Sequence, residues 1–101
     1  MLVFQGEFDL KLASGMSHWA RSWGFAANQQ FEQAVSEARA AVALVPRSAR
    51  AHYTLGHMLA QTGQTAEARR ELQAALSRTQ LSPAGYYSSL LPSIQKDLAG
   101  N

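Results

Sequence analysis

The 101 residues include no cysteine. That excludes a disulfide framework, a thiolate zinc site and a cysteine nucleophile, and leaves the redox compartment unread. Proline occurs only three times and β-branched residues are few, while alanine is abundant, a balance that favours helix over sheet. No apolar run approaches the roughly 18 residues of a membrane span, and no basic-then-apolar stretch opens the chain as a signal peptide would. The expectation is a soluble chain without direct membrane insertion, cytoplasmic or a soluble domain of a larger membrane-associated protein. Charge is sparse as well, with nine basic and seven acidic residues giving a formal net charge of +2. Arg39, Arg47, Arg50, Arg69, Arg70 and Arg78 form no basic block, so no nucleic-acid partner is expected. What remains, 47% hydrophobic and 16% charged, suits one folded domain with a modest core.

Catalytic patterns are equally scarce. Gly15-Met16-Ser17-His18-Trp19 begins like a nucleophile elbow, but Trp19 stands where the second glycine is required and no strand precedes it. His52 and His57 are five residues apart, whereas a zinc-binding helix needs two histidines at i and i+4 with a glutamate between. No glycine-rich phosphate loop occurs, and "EARRE" at 67–71 reads as a solvated helix face. The expectation is a protein that is not an enzyme and carries no metal and no cofactor.

The chain does repeat itself. Sliding it by 34 residues aligns 15–48 with 49–82 and makes eight positions identical: His18/His52, Ala26/Ala60, Gln30/Gln64, Ala34/Ala68, Glu37/Glu71, Ala40/Ala74, Ala41/Ala75 and Ser48/Ser82. Each unit divides into two helices, at about 16–28, 31–45, 49–62 and 65–79. Ser48 and Ser82 are N-cap candidates. Gly63 in "TGQT" supplies a left-handed C-cap, and Pro46 blocks further helix between the units. A fifth helix is expected from Pro83, with Pro92 inside it as a kink. Residues 1–14 form a lead-in outside the repeat: "LVFQG" looks like part of a protease-site linker, and the segment is expected to be extended or poorly ordered.

Gly56, in the middle of the third helix, costs roughly 1 kcal/mol relative to alanine. Around it the second unit reads His52-x2-Leu55-Gly56-x2-Leu59, then Gly63, Ala68-x3-Leu72 and Ala75-Leu76. This pattern resembles the tetratricopeptide repeat, a 34-residue helix–turn–helix whose small residues let helices approach closely. The first unit matches at Phe25, Ala34, Ala38, Ala41 and Pro46, but Ser22 replaces the glycine and Arg21 the leucine before it. Arg21 at a nominal core position suggests a terminal or imperfectly packed unit. The resemblance implies an all-α fold: two units, 15–48 and 49–82, forming a fragment of a right-handed α-solenoid, with 83–101 as a capping helix and short tail.

It also implies a non-catalytic module for protein–protein interaction. In such arrays the first helix of each unit lines a concave groove. Carried onto this sequence, the groove stripe holds Met16, Trp19, Trp23 and Ala27, then Arg50, Tyr53, His57, Ala60 and Gln61, then Tyr87 and Leu91. Of these, Trp19, Trp23, Arg50, Tyr53, His57 and Tyr87 are the candidate peptide- or protein-binding residues, aromatics giving contact area and Arg50 a carboxylate partner. The lysines and asparagines that grip chaperone C-termini in some members are absent from this stripe. His18, His52 and Tyr86 share the repeat position of a packing aromatic, and stacking is expected of them. The alternative is a structural or self-associating soluble domain of a larger protein, with the aromatics buried in its core or in a homodimer interface. Arrays below three repeats are marginal alone, which gives pairing a physical motive.

Overall fold

A computed structural model describes residues 2–80 and 90–100, with side chains over 13–78 and 91–100. Within them the chain forms α1 (Leu2–Ala27), α2 (Phe31–Leu44), α3 (Ala49–Gln61), α4 (Thr65–Gln80) and α5 (Leu90–Gly100). Each helix packs against the next described one, and α1 and α5 also touch α3, the sequential packing of a helical-repeat array. The two helices of each unit form antiparallel hairpins, α1 with α2 and α3 with α4. The lead-in residues differ from expectation: from Leu2 onward they continue α1 without a break. No proline interrupts 2–14, and the helix already fixed at 15–27 supplies a nucleus onto which each further residue adds at little cost.

Both hairpin turns are built alike. After α1, Gln29 N–H bonds Ala26 O at 2.9 Å and Gln30 N–H bonds Phe25 O at 2.9 Å. After α3, Gly63 N–H bonds Ala60 O at 3.2 Å and Gln64 N–H bonds Leu59 O at 3.0 Å. These are the paired bonds of a Schellman cap, with Gly63 at φ 82° and Gln29 at φ 61° in the left-handed region. Glycine takes that conformation freely; glutamine does so at a steric cost of about 1–2 kcal/mol. Replacing Gln29 with glycine is therefore expected to raise stability by about 0.5–1 kcal/mol, read as a higher urea midpoint. Between the units, Ser48 is extended and its side chain accepts from Ala51 N–H at 3.2 Å, capping α3.

Small residues set the helix spacing. Ala34, Ala38, Ala41, Ala68 and Ala75 are fully buried. At Gly15 an added Cβ would lie 2.8 Å from Val45 Cγ2, so α1 closely approaches the residue that ends α2. At Gly56 a Cβ would lie 2.7 Å from Leu72 Cγ and 3.1 Å from the Ala68 carbonyl oxygen. The first unit solves the same contact differently. Ser22 stands at the glycine position, fully buried, and donates to Ala34 O at 2.6 Å. Its room comes from Ala38, which occupies the Leu72 position of the repeat. Glycine facing leucine in one unit and serine facing alanine in the other fill the same gap.

The core is two adjoining clusters. Ala34, Val35, Ala38, Leu55, Met58, Leu59 and Ala68 pack between the units, with Trp23 and Phe25 against them. Ala49, Tyr53, Leu72, Ala75 and Ile94 pack between the second unit and α5, again with Trp23 alongside. Leu55 is buried because α2 covers that side of α3; the equivalent side of α1 carries Arg21, 59% exposed and 3.9 Å from Glu37. Arg21 is thus a surface residue. Across the units, Arg39 of α2 forks onto Glu67 of α4 at 2.5 and 3.1 Å. That hydrogen bond holds the Glu67 carboxyl below its usual range and the Arg39 guanidinium above its own.

α5 does not continue the 34-residue register. Asp97 meets His57 and Ser93 lies against the Tyr53 hydroxyl, both 40 residues on. Pro92 lies within α5, whose described part begins at Leu90. The expected start at Pro83 lies outside the described residues. No helix among the described residues is long and apolar enough to cross a membrane.

Candidate functional site

The expected stripe divides into a closed part and an open part. Trp23, Tyr53 and His57 come together: Trp23 to His57 at 5.0 Å between ring centroids, Tyr53 to His57 at 5.8 Å and Trp23 to Tyr53 at 6.0 Å, all tilted. These separations are those of offset and tilted aromatic pairs. The spacing follows from the helices, because Tyr53 and His57 are one turn apart on α3 and Trp23 arrives from the parallel face of α1. Trp23 Nε1–H also donates to Thr54 Oγ1 at 3.2 Å, which satisfies the indole and the fully buried threonine together. Thr54 was no candidate from sequence, being an ordinary polar residue at a helical spacing.

α5 covers one side of this triad. Ile94, fully buried, packs on Tyr53, and Asp97 Oδ2 lies 2.7 Å from His57 Nδ1. Burial, and next the Asp97 charge, raise the Tyr53 hydroxyl above its ordinary value, with Ser93 and Arg50 opposing. Tyr53 is only 9% exposed. Asp97 and Ser93 could not be found by the repeat offset, because the offset brings Tyr87 and Leu91 to those places. Tyr87 lies outside the described residues, and Leu91, half-buried, is not the residue that meets His57.

Toward the start of the stripe the surface is more open. Trp19 is half-buried, Arg50 exposed and Met16 48% exposed. Ala27 and Gln61, at the far end, are exposed and Ala60 is half-buried.

The two repeat-matched histidines do something other than stack. His18 Nδ1 lies 2.5 Å from Glu37 Oε2, and His52 Nδ1 lies 2.8 Å from Glu71 Oε1. Both pairs tie the first helix of a unit to its second. The signal was in the sequence, since histidine and glutamate recur together at the same offset, 19 residues apart in each unit. Among the described residues, no three histidine, aspartate or glutamate side chains gather as a metal site would require.

The tetratricopeptide repeat family model matches residues 25–90, about two thirds of the chain. No curated protein matches it. Tetratricopeptide repeats are non-catalytic units of protein–protein interaction modules. The repeat offset, the hairpin pairs, the small residues at their contacts and this match agree, and the chain belongs to the tetratricopeptide repeat family.

Proposed function

We propose that this module binds a peptide or protein segment along the inner face of α1 and α3. In this reading Trp23, Tyr53 and His57 form the floor, Met16 and Trp19 the apolar rim, and Arg50 the partner of a carboxylate; Tyr87 extends the candidate set outside the described residues. The observation that carries the reading is the convergence of three rings from two successive units beside exposed Met16. Aromatic surface with few rotors and an arginine at its edge is the composition of a binding hot spot.

The test selects a displayed random-peptide library against the chain and then measures the enriched peptides on variants. The reading expects peptides that join an acidic residue to a bulky apolar one. Trp19→Ala or Arg50→Glu should weaken them about tenfold or more, roughly 1.4 kcal/mol, with unfolding midpoints moved little. No enrichment, or equal binding by both variants, would overturn it. The second reading is a structural or self-associating domain, in homodimer form or within a larger protein. It is favoured by Ile94 and Asp97 of α5 already resting on Tyr53 and His57.

A further inference from the structure

α5 reaches the aromatic triad out of the repeat register. An offset of 34 would bring Leu91 to His57, but Asp97 Oδ2 lies 2.7 Å from His57 Nδ1 and Ser93 meets the Tyr53 hydroxyl. Both pairs are 40 residues apart and run in the same order, so α5 lies parallel to α3. Its hold is slight. Among the described side chains of α5 only Ile94 is buried, whereas α4 buries Ala68, Leu72 and Ala75 completely. A helix of 11 residues does not stand alone in water. α5 keeps its form against α3 and α4, and an element with so few buried groups opens at low cost.

What α5 offers the face of α3 is one branched apolar side chain, Ile94, and a carboxylate one turn later, Asp97. It leaves Arg50 unmet. Counting back by the same 40 residues sets position 90, a leucine, at the level of Arg50. Arg50 is exposed, and among the described residues no carboxylate lies at ion-pair distance from it.

We propose that α5 is an internal stand-in for the partner, which is a helical segment that binds this face by displacing α5. The partner helix carries an acidic residue, an apolar residue four positions later and a second acidic residue three positions after that, the spacing of positions 90, 94 and 97. These three fall on one face of a helix. The apolar residue takes the place of Ile94 beside Tyr53, the second acid takes that of Asp97 at His57 Nδ1, and the first pairs Arg50. The inference rests on the peptide-binding reading of this face, and adds the partner's form and its control. Because α5 belongs to the same chain, it competes at a high effective concentration. The pair with Arg50 is the advantage that α5 lacks. Apparent affinity is then the intrinsic affinity reduced by the fraction of chains whose α5 stands away.

The probe is a fluorescein-labelled peptide of residues 90–100 with Leu90→Glu, titrated by anisotropy against the full chain. Gln95→Lys and Ala99→Glu in the peptide, joined as a lactam at positions exposed in α5, hold it helical and lower its ordering cost. In the full chain, Ile94→Val loosens α5 without changing charge and is mild enough to leave the fold in place, which circular dichroism checks. It should bind the probe roughly two- to tenfold tighter than the wild-type chain, and a folded Ile94→Ala at least as tightly as Ile94→Val. A purely structural cap predicts unchanged or weaker binding. Returning position 90 of the probe to leucine should weaken it roughly threefold on the wild-type chain, and Arg50→Ala should erase that difference. No gain in Ile94→Val, or a probe indifferent to position 90, would overturn the stand-in. The two readings fail separately. Library peptides that need Trp19 and Arg50, yet bind wild-type and Ile94→Val chains equally, would leave the groove and remove the role of α5; failure of both library and probe to bind would remove both.

Discussion

Gly56→Ala lowers stability, although alanine is the better helix former by about 1 kcal/mol. The added methyl meets Leu72 Cγ at 2.7 Å and the Ala68 carbonyl oxygen at 3.1 Å. Neither can give way cheaply: the first is the branch point of a fully buried leucine, and the second is helix backbone. Overpacking of this kind costs roughly 1–3 kcal/mol; with both contacts unable to yield, the upper half of that range applies, so the net loss is expected at up to about 2 kcal/mol once the helix gain is subtracted. Larger residues at 56 cost more. Leu72→Ala alone opens a cavity at about 2–5 kcal/mol. Combined with Gly56→Ser it recreates the Ser22 and Ala38 arrangement of the first unit. The double variant should therefore be clearly more stable than the sum of the two single losses allows, by about 1 kcal/mol or more. Urea midpoints of the wild-type chain, the two single variants and the double variant measure this, and strict additivity would mean the two residues do not share one gap.

Trp23→Ala should be the most damaging of the aromatic substitutions. Trp23 borders both core clusters, touches Tyr53 and His57, and supplies the hydrogen bond to Thr54. Deleting a buried tryptophan side chain costs roughly 3–5 kcal/mol; as Trp23 is half-buried, about 3 kcal/mol is expected. Trp23→Phe keeps most of the packing but loses the donor, for about 1 kcal/mol. Trp19→Ala, on the more open part of the stripe, should fall well below Trp23→Ala. Chemical unfolding followed by far-ultraviolet circular dichroism gives all three values. Equal losses at Trp19 and Trp23 would contradict the division into a closed floor and an open rim.

The repeat made the hairpins legible. A period of 34, Pro46, Ser48 and Gly63 were enough to place four helices within two residues at most of their ends, except at the start of α1. That start was missed because helix propagation from a formed nucleus needs no local signal. Gln29 hid its left-handed cap because side-chain identity there does not announce it, and only the equivalence to Gly63 does. Arg21 looked like a flaw in the core when compared with Leu55, but burial at that position depends on the preceding helix, which the α2–α3 pair has and α1 lacks among the described residues.

The stripe was legible only as far as the repeat extends. Trp23, Tyr53 and His57 converge because the same offset governs α1 and α3. Past α4 the offset changes from 34 to 40, and Asp97 rather than Leu91 meets His57. The His–Glu pairs went unread for a different reason. Histidine at an aromatic position suggests stacking, whereas buried imidazole also has two nitrogens to satisfy, and the recurring glutamate satisfies one of them.

The account rests most heavily on a stripe that is free to take a partner, and solution mass tests that most directly. Light scattering over a concentration series, with tryptophan emission and iodide quenching on the same samples, should give the 11.0 kDa monomer throughout. Part of the emission should be quenched, and that part should vanish in Trp19→Phe. A mass that rises toward the dimer as quenching falls would contradict it, because the rim would then be occupied by a second copy of the chain.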